Sequence, residues 1–343
     1  MDLEPSDEQR ELVGSFGALL TESSSPERVR AVEPGGFDAT LWRSLVDMGA
    51  VTMAVAEERG GWGASLLDLT LVAEQVGRSL APAPVIEAQV AARLLATGGS
   101  DAAGRALEGI MRGQRLVTVA LHPPRAGVCT LTPAGAVCDD VVVCDEGRLH
   151  LVAVHAQGRH LVANLASAPL ADLTFADPVV LEADDAVEER FEAAFDEWLV
   201  LTAAALVGIG AAAHQLVCTY ASERPAFGAP IGTYQGVAHP LADDATRLDG
   251  AQLLARKAAW SLDAGDARGR ELAAMAFAFA SETAELATAH AVHFHGGYGF
   301  MLEQDVQLHY RRARGWARVW GDAEAGYRRA ADARDARVAA RVS

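Results

Sequence analysis

The sequence predicts a multidomain α+β protein with an N-terminal helical domain, a small middle β-barrel or β-sandwich, and a C-terminal bundle of four to five helices. Three observations predict this class. Apolar residues recur at helical spacing through residues 1–114, short β-branched runs alternate with turns through residues 115–185, and helical spacing returns over residues 186–343. Periods near 3.6 and near 2 distinguish amphipathic helices from strands.

The first two segments can be divided into elements. Helical spacing is clearest around Leu12–Leu20 and Leu41–Met48, and another helix is predicted from Asp68 to about Leu80. The glycine-rich stretch Gly60–Gly63 predicts a structural loop before that helix, because consecutive glycines break either period. The middle segment contains the runs "RLVTVAL", "GVCTLTP", "DDVVVCD", "RLHLVAVH" and "ADLTFADPVVL". Their spacing predicts a shortened module of antiparallel strands.

The C-terminal segment opens with "EWLVLTAAALVGIGAAAHQLVCTYASER", which is apolar on nearly all sides and therefore typical of a buried helix. Glu197 and His214 interrupt this run, which argues against a membrane-spanning segment. Pro240 is expected to kink or loosen the first turns of the next helix. The later helices are predicted at about residues 233–262, 269–293, 304–317 and 322–339.

Composition limits the classes of partner. The chain has 343 residues, half of them hydrophobic, and a formal net charge of −17, which argues against nucleic acid or an anionic membrane as the main partner. The acidic N-terminal sequence does not have the pattern of a secretory or transit segment, so a cytoplasmic location is predicted. The cysteines lack metal-ligand spacing and are expected to be reduced thiols: Cys129, Cys138, Cys144 and Cys218.

Two motifs in the last segment could face an anionic ligand. The stretch "SERPAFGAPIGTYQ" places Arg224 before Phe-Gly and ends on Gln235. A guanidinium can hold two phosphate oxygens at once, although a solvated arginine at a helix C-terminus is the simpler interpretation of this residue alone. Gly296-Gly297 would let the backbone approach a ligand closely, or would only end a helix.

The order of the segments, together with these motifs, resembles the acyl-CoA dehydrogenase family of flavoenzymes. "LVDMGAVTMAVAEERGGWG" and "LTLVAEQVGRSLAPAP" look like the family's small-residue loop and the helix after it. "ERPAFGAPIGTYQ" is similar to the family's RxxFGxxIxxFQ segment, and "AHAVHFHGGYGFMLEQDVQLHYRRAR" is similar to its glycine-pair signature. The resemblance covers nearly the whole chain.

The resemblance implies that FAD is the cofactor. It implies that Arg224 reaches the pyrophosphate of an FAD molecule held mainly by a neighbouring subunit, and that Phe227 and Tyr234 pack near it. His293 stands where the family often has glutamine. The cofactor-contacting residues implied in this way are Arg224, Phe227, Tyr234, Gln235, His293, Gly296 and Gly297.

Two features depart from the family. "ALHPPRAGVCT" replaces the serine- or threonine-rich loop that holds the flavin ring, and the strand that follows that loop in the family has no counterpart here. The carboxylate base is also missing, because Trp320 and Trp198 fall at its two alternative positions. Glu197 is a neighbouring candidate, but one residue rotates a helical side chain by about 100°. Glu197, Asp322 and Glu324 also suit helix N-termini.

Taken together, these features lead to one hypothesis and three alternatives. The chain is similar to the short subunits of actinobacterial α2β2 acyl-CoA dehydrogenases, which act on steroid-derived acyl-CoA thioesters and pass electrons to an acceptor protein. Here it would supply the pyrophosphate side of an FAD site to a paralogous partner that carries the base. The alternatives are a self-sufficient homotetrameric dehydrogenase, a flavin-free structural subunit, and a related flavin-dependent oxidase or desaturase.

Overall fold

A computed structural model of the protein describes residues 3–340. These residues form two compact units. The first contains the residues up to Val29, Thr70–Ala81, and the residues from Val200 onward. The second contains Arg30–Leu69 and Pro82–Leu199.

Helices occupy the N-terminal part of the chain, as predicted. Several begin with a side-chain cap: Ser6 and Gln9 form a reciprocal capping box, and the Asp38 carboxylate accepts from two backbone amides of the next helix. Such caps satisfy the amides that a first turn leaves without partners. The helices are α1 (Asp7–Ser23), α2 (Pro26–Val32), α3 (Ala39–Asp47), α4 (Leu66–Arg78), α5 (Val85–Thr97) and α6 (Asp101–Met111).

The middle segment forms two small sheets, with orders β1-β3-β4-β7 and β2-β6-β5. β1 pairs with β3 in parallel, whereas an all-antiparallel module was predicted, and β5 was not predicted as a strand. The reason is that local alternation identifies strands but does not determine which strands pair. The strands are β1 (Val117–Val119), β2 (Val128–Thr132), β3 (Asp140–Asp145), β4 (Arg148–Ala153), β5 (Arg159–Leu161), β6 (Ala171–Thr174) and β7 (Val179–Glu182).

The C-terminal segment is a bundle of long helices whose bounds lie close to those predicted. α8 continues through Pro240. A short hairpin, β8 (Pro225–Ala226) and β9 (Ala229–Pro230), separates the first two helices. The helices are α7 (Val187–Glu223), α8 (Gln235–Asp263), α9 (Gly269–Phe294), α10 (Val306–Ala317) and α11 (Ala323–Ala339).

α7 is the most apolar helix of this bundle. It is long and apolar enough to cross a membrane, but 72% of its most apolar window is buried within the protein. Its middle residues are buried on successive positions from Trp198 to Ile209, which is the pattern of an interior helix. The sequence prediction of a buried core helix is therefore confirmed.

Small residues allow the helices of the first unit to approach closely. α9 packs against α8, α10 and α11, and its buried face is mostly alanine. α4 and α7 come closer still, because Gly77 and Gly208 face the opposing backbone. A Cβ at Gly77 would lie 1.9 Å from the Ala205 carbonyl oxygen, and one at Gly208 would lie 2.0 Å from the Glu74 carbonyl oxygen. Only glycine fits at these two positions.

Replacing Gly208 with alanine tests this contact. We expect Gly208→Ala to lower the free energy of unfolding by about 1–3 kcal/mol or more, because the two helices must separate to accommodate the methyl group. Denaturant unfolding followed by circular dichroism measures the change. Gly14→Ala is the matched control, since a Cβ there would meet nothing within 4 Å. The control should keep or slightly raise stability. Equal stability of the two variants would contradict the proposed contact.

Candidate functional site

The two motif segments meet at one end of the first unit. The end of α7, the start of α8, the end of α9 and the start of α10 share one apolar cluster. Between the motifs, the rings of Tyr220 and His295 stack with centroids 4.3 Å apart. Tyr220 precedes Arg224 by one helical turn, and His295 precedes the glycine pair. The buried members of the cluster are Ala213, Val217, Ala221, Leu241, Ala291, Val292 and Val306.

Arg224 lies at the base of the β8–β9 hairpin. Its backbone amide donates to the Tyr220 carbonyl at 2.8 Å, and its carbonyl accepts from the Ile231 amide at 2.9 Å. Its side chain is exposed and makes no hydrogen bond or ion pair within residues 3–340. A fixed backbone with an unpaired guanidinium is suited to binding an anion supplied from outside this chain.

The hairpin turn itself is tight. Phe227 and Gly228 both adopt positive φ, 52° and 87°, which is the geometry of a two-residue hairpin loop. The Phe227 side chain is 98% exposed, so nothing in the described chain packs against it. An aromatic ring held at full exposure is available to a ligand or to another polypeptide.

The glycine pair is open to solvent. Gly296 has φ 63°, and a Cβ on either Gly296 or Gly297 would meet nothing within 4 Å. The chain's own packing therefore does not require glycine at 297. Gly61 in the N-terminal loop differs, because a Cβ there would lie 2.0 Å from the Val55 carbonyl oxygen. Gly61 is thus required by the packing of its loop, whereas the open pair leaves room for an external group.

The remaining predicted cofactor residues lie at the same end of the unit. Gln235 is the exposed first residue of α8, whose N-terminus has no side-chain cap. His293 is exposed in the last turn of α9, with its ring 5.2 Å from that of Phe294. Tyr234 is 38% exposed, and its hydroxyl donates to the Ala226 and Phe227 carbonyls at 2.9 and 3.3 Å. The hydroxyl of Tyr234 therefore faces its own hairpin.

Tryptophan stands at both positions where the family resemblance predicts the carboxylate base. Trp198 is buried and stacks on Phe195 with ring centroids 6.2 Å apart. Trp320 packs edge-on against Phe277 at 5.4 Å. Neither ring can accept a proton from a substrate carbon.

The carboxylates near the second of these positions belong to a helix start. Asp322 is the N-cap of α11, and the hydrogen bond from the Ala325 amide is the main cause that lowers its pKa. Glu324 is exposed and pairs with Arg328 at 2.6 Å. Both residues behave as the helix-terminus interpretation predicted.

Glu197 is held by an ion pair. Arg93 donates to its two carboxylate oxygens at 2.8 and 2.9 Å, in a bidentate arrangement. The pair borders a cavity of about 290 Å³ whose other walls include Ala193, Ala194 and Arg190. A carboxylate engaged on both oxygens is a weak proton acceptor, since accepting a proton would break the pair. The arrangement favours a structural role for Glu197.

One partly buried carboxyl near Trp198, that of Glu87, was not predicted from the sequence. Desolvation raises the pKa of Glu87, while its own backbone and the nearby Trp198 side chain oppose that shift. Glu87 lies on α5, where most of the neighbouring residues are apolar and buried. A lone acidic residue in the run "VIEAQVAARLL" was the available signal. A carboxyl whose pKa is raised by burial is a stronger base once ionised.

The segment that replaces the ring-binding loop offers few side-chain donors. Between β1 and β2 the chain closes a tight turn in which Arg125 and Val128 exchange backbone hydrogen bonds of 2.9 and 3.0 Å. Ala126 and Gly127 form the turn with positive φ. Residues 120–127 contain no serine or threonine. The expectation that this chain does not hold a flavin ring with this loop stays a prediction.

The chain thus consists of a helical N-terminal part, two small sheets and a bundle of long helices, with an exposed arginine directly after the first helix of the bundle. The acyl-CoA dehydrogenase N-terminal domain matches residues 6–114, and the C-terminal domain matches residues 190–333. Acyl-CoA dehydrogenase IpdE2 of Mycolicibacterium smegmatis is 30% identical over 92% of this chain and 95% of its own length. The chain belongs to the acyl-CoA dehydrogenase family.

Solved structures agree with this assignment. The Tcur3481-Tcur3483 steroid ACAD superposes with a TM-score of 0.88 at 25% identity, covering 97% of this chain and 99% of that one. The ChsE4-ChsE5 complex from Mycobacterium tuberculosis gives 0.86 at 26% identity, covering 97% and 98%. The predicted fold class and the resemblance to steroid-degrading acyl-CoA dehydrogenases are confirmed, and family membership supports FAD as the cofactor.

Replacing Glu197 with glutamine tests whether this residue is the base. We expect Glu197→Gln to lower stability by about 1–3 kcal/mol, because Arg93 loses a charge-assisted partner, and to leave turnover intact. Thermal unfolding and steady-state assays of the purified enzyme give the two values. Arg93→Gln is the matched control, and the double variant should be little worse than either single variant. Loss of turnover without loss of stability would instead identify Glu197 as the base.

Proposed function

We propose that this chain is a subunit of an FAD-dependent acyl-CoA dehydrogenase that catalyses α,β-dehydrogenation of an acyl-CoA thioester. It contributes the pyrophosphate side of a shared FAD site to a partner subunit that carries the base. The observation on which this rests is Arg224, an unpaired, exposed guanidinium on a fixed backbone next to the open glycine pair. The tryptophans at both expected base positions, Trp198 and Trp320, support the proposal that the partner subunit supplies the base.

The residues present fit the anionic part of FAD. Arg224 supplies a permanent positive charge whose planar donors match two phosphate oxygens. Gln235 offers a neutral amide, and Gly296-Gly297 leave the space that an approaching ligand needs. When bound, FAD would accept the hydride that leaves the β carbon of the acyl group. Phe227, Tyr234 and His293 would lie near the same part of FAD.

The proton chemistry requires a second polypeptide in this proposal. The α proton of a thioester is weakly acidic, so its acceptor must be a closely placed, desolvated carboxylate. Trp198 and Trp320 cannot accept that proton, and Glu197 is engaged by Arg93. The partner therefore supplies the base, and this chain orients the cofactor.

The comparisons support the substrate and partner classes of the proposal. Two solved structures of similar fold are the Tcur3481-Tcur3483 steroid ACAD and the ChsE4-ChsE5 complex. We infer a paralogous partner in an α2β2 assembly, a steroid-derived acyl-CoA substrate and an electron-transfer protein as acceptor. The assembly would work in the cytoplasm without nucleic acid or membrane.

Arg224→Gln tests the proposed role in the complex with a paralogous acyl-CoA dehydrogenase chain. We expect FAD affinity to fall about 10- to 100-fold, since a charge-assisted contact contributes about 1.5–3 kcal/mol. Titration of the flavin-free complex with FAD, followed by flavin fluorescence, measures the dissociation constant. The lone chain should bind substoichiometric flavin and show no turnover.

The control is Arg328→Gln, which removes an exposed positive charge, paired with Glu324, from α11 in the same unit. It should leave FAD affinity unchanged. Unchanged affinity in Arg224→Gln would favour the flavin-free structural subunit. Stoichiometric flavin and full turnover by the lone chain would instead favour the homo-oligomeric enzyme.

One observation favours a second candidate, in which this chain carries its own base. Glu87 is a partly buried carboxyl near Trp198, and desolvation raises its pKa. In that case Glu87→Gln should lower kcat by about 100-fold or more while FAD stays bound, because general base catalysis contributes about 10²–10⁴. The same assay on Glu197→Gln is the control. Full turnover in Glu87→Gln would remove this candidate.

A further inference from the structure

The β8–β9 hairpin that follows Arg224 is very short. Its two ladder pairs are Pro225 with Pro230 and Ala226 with Ala229. The two prolines face each other at a non-hydrogen-bonded position of the antiparallel ladder, where no amide hydrogen is needed. Apart from the inner pair, the backbone bond from the Ile231 amide to the Arg224 carbonyl closes the hairpin. A two-stranded ribbon of this length is only marginally stable by itself.

The turn is also strained. Phe227 is a non-glycine residue with φ 52°, a conformation that costs about 1–2 kcal/mol for an L-residue. Its ring is 98% exposed and gains no packing within the described chain. Such a conformation persists only where surrounding contacts hold it. Something other than the Phe227 side chain must therefore stabilise the turn.

The Tyr234 hydroxyl is that contact. It lies 2.9 Å from the Ala226 carbonyl oxygen and 3.3 Å from the Phe227 carbonyl oxygen, so one hydroxyl spans the strained bend. Thr233 adds a bond from its hydroxyl to the Pro230 carbonyl at 2.7 Å. The family pattern has phenylalanine at the position of Tyr234, and a phenyl ring would leave both carbonyls without this donor.

We infer that Tyr234 is a positioning residue, whose hydroxyl holds the β8–β9 hairpin in the shape that presents Arg224 to the cofactor pyrophosphate. This inference rests on the proposed function. Holding a binding group in its bound geometry raises affinity by removing the cost of ordering it during association. The hydroxyl points at its own backbone, so it acts through the hairpin and makes no cofactor contact of its own.

Tyr234→Phe in the complex of both chains tests the inference. One hydrogen bond contributes about 0.5–1.5 kcal/mol, so the FAD dissociation constant should rise about 2- to 12-fold. Fluorescence titration of the flavin-free complex with FAD measures this change, independently of activity. The melting temperature of that complex should stay close to that of the wild type. Tyr298→Phe is the matched control, since Tyr298 is exposed in the glycine-pair loop and its hydroxyl has no partner within residues 3–340.

The double variant distinguishes positioning from direct contact. If Tyr234 acts through Arg224, Tyr234→Phe should have little further effect on FAD affinity in an Arg224→Gln background. Additive losses would overturn the positioning role. Unchanged affinity in Tyr234→Phe, with weakened affinity in Arg224→Gln, would also overturn it while leaving the proposed function standing. If neither variant changes FAD affinity, the proposed function fails as well.

Discussion

The helical unit depends on close backbone contact between α4 and α7. Gly77 and Gly208 each face a carbonyl oxygen of the opposing helix, at distances that leave no room for a methyl group. This contact, with the alanine-rich packing of α9 against its neighbours, fixes the course of α7. Because Arg224 directly follows the last turn of α7, the direction of that helix decides where the hairpin begins.

Arg224 can be compared with the other arginines of this acidic chain, many of which form ion pairs. The chain carries a net charge of −17, and many arginines are engaged by nearby carboxylates. Arg93 holds Glu197, Arg190 holds Glu182, and Arg337 holds Glu271. Arg224 has no partner within residues 3–340, as is also true of the exposed Arg43 and Arg105. Arg224 differs from these two in standing at the base of a hairpin closed by backbone and hydroxyl bonds, next to the open glycine pair. The proposal that it binds an anion rests on this position.

Trp198 and Trp320 show how a chain of this fold can lack a carboxylate at the expected base positions and still pack well. A buried indole packs well where a carboxylate would need a compensating partner, so loss of the base need not cost stability. Trp198 is buried in α7 and stacks on Phe195, and Trp320 is partly buried in the turn between α10 and α11, where it packs edge-on against Phe277. Arg224, Gln235 and Gly296-Gly297, which are proposed to face an anion, are in contrast exposed.

Local pattern alone was sufficient for the helices and for most strands, whereas the cofactor role of the residues around Arg224 and Gly296-Gly297 came from the family resemblance and stays a prediction. Helical period and caps are properties of neighbouring residues, so they can be read from the chain. The parallel pairing of β1 with β3 could not, because strand partners are chosen by long-range packing. The Arg93–Glu197 pair joins residues 104 positions apart, and only the folded chain shows it. The partial burial of Glu87 and the direction of the Tyr234 hydroxyl were likewise decided by tertiary structure, because side-chain environment depends on distant segments that no local period describes.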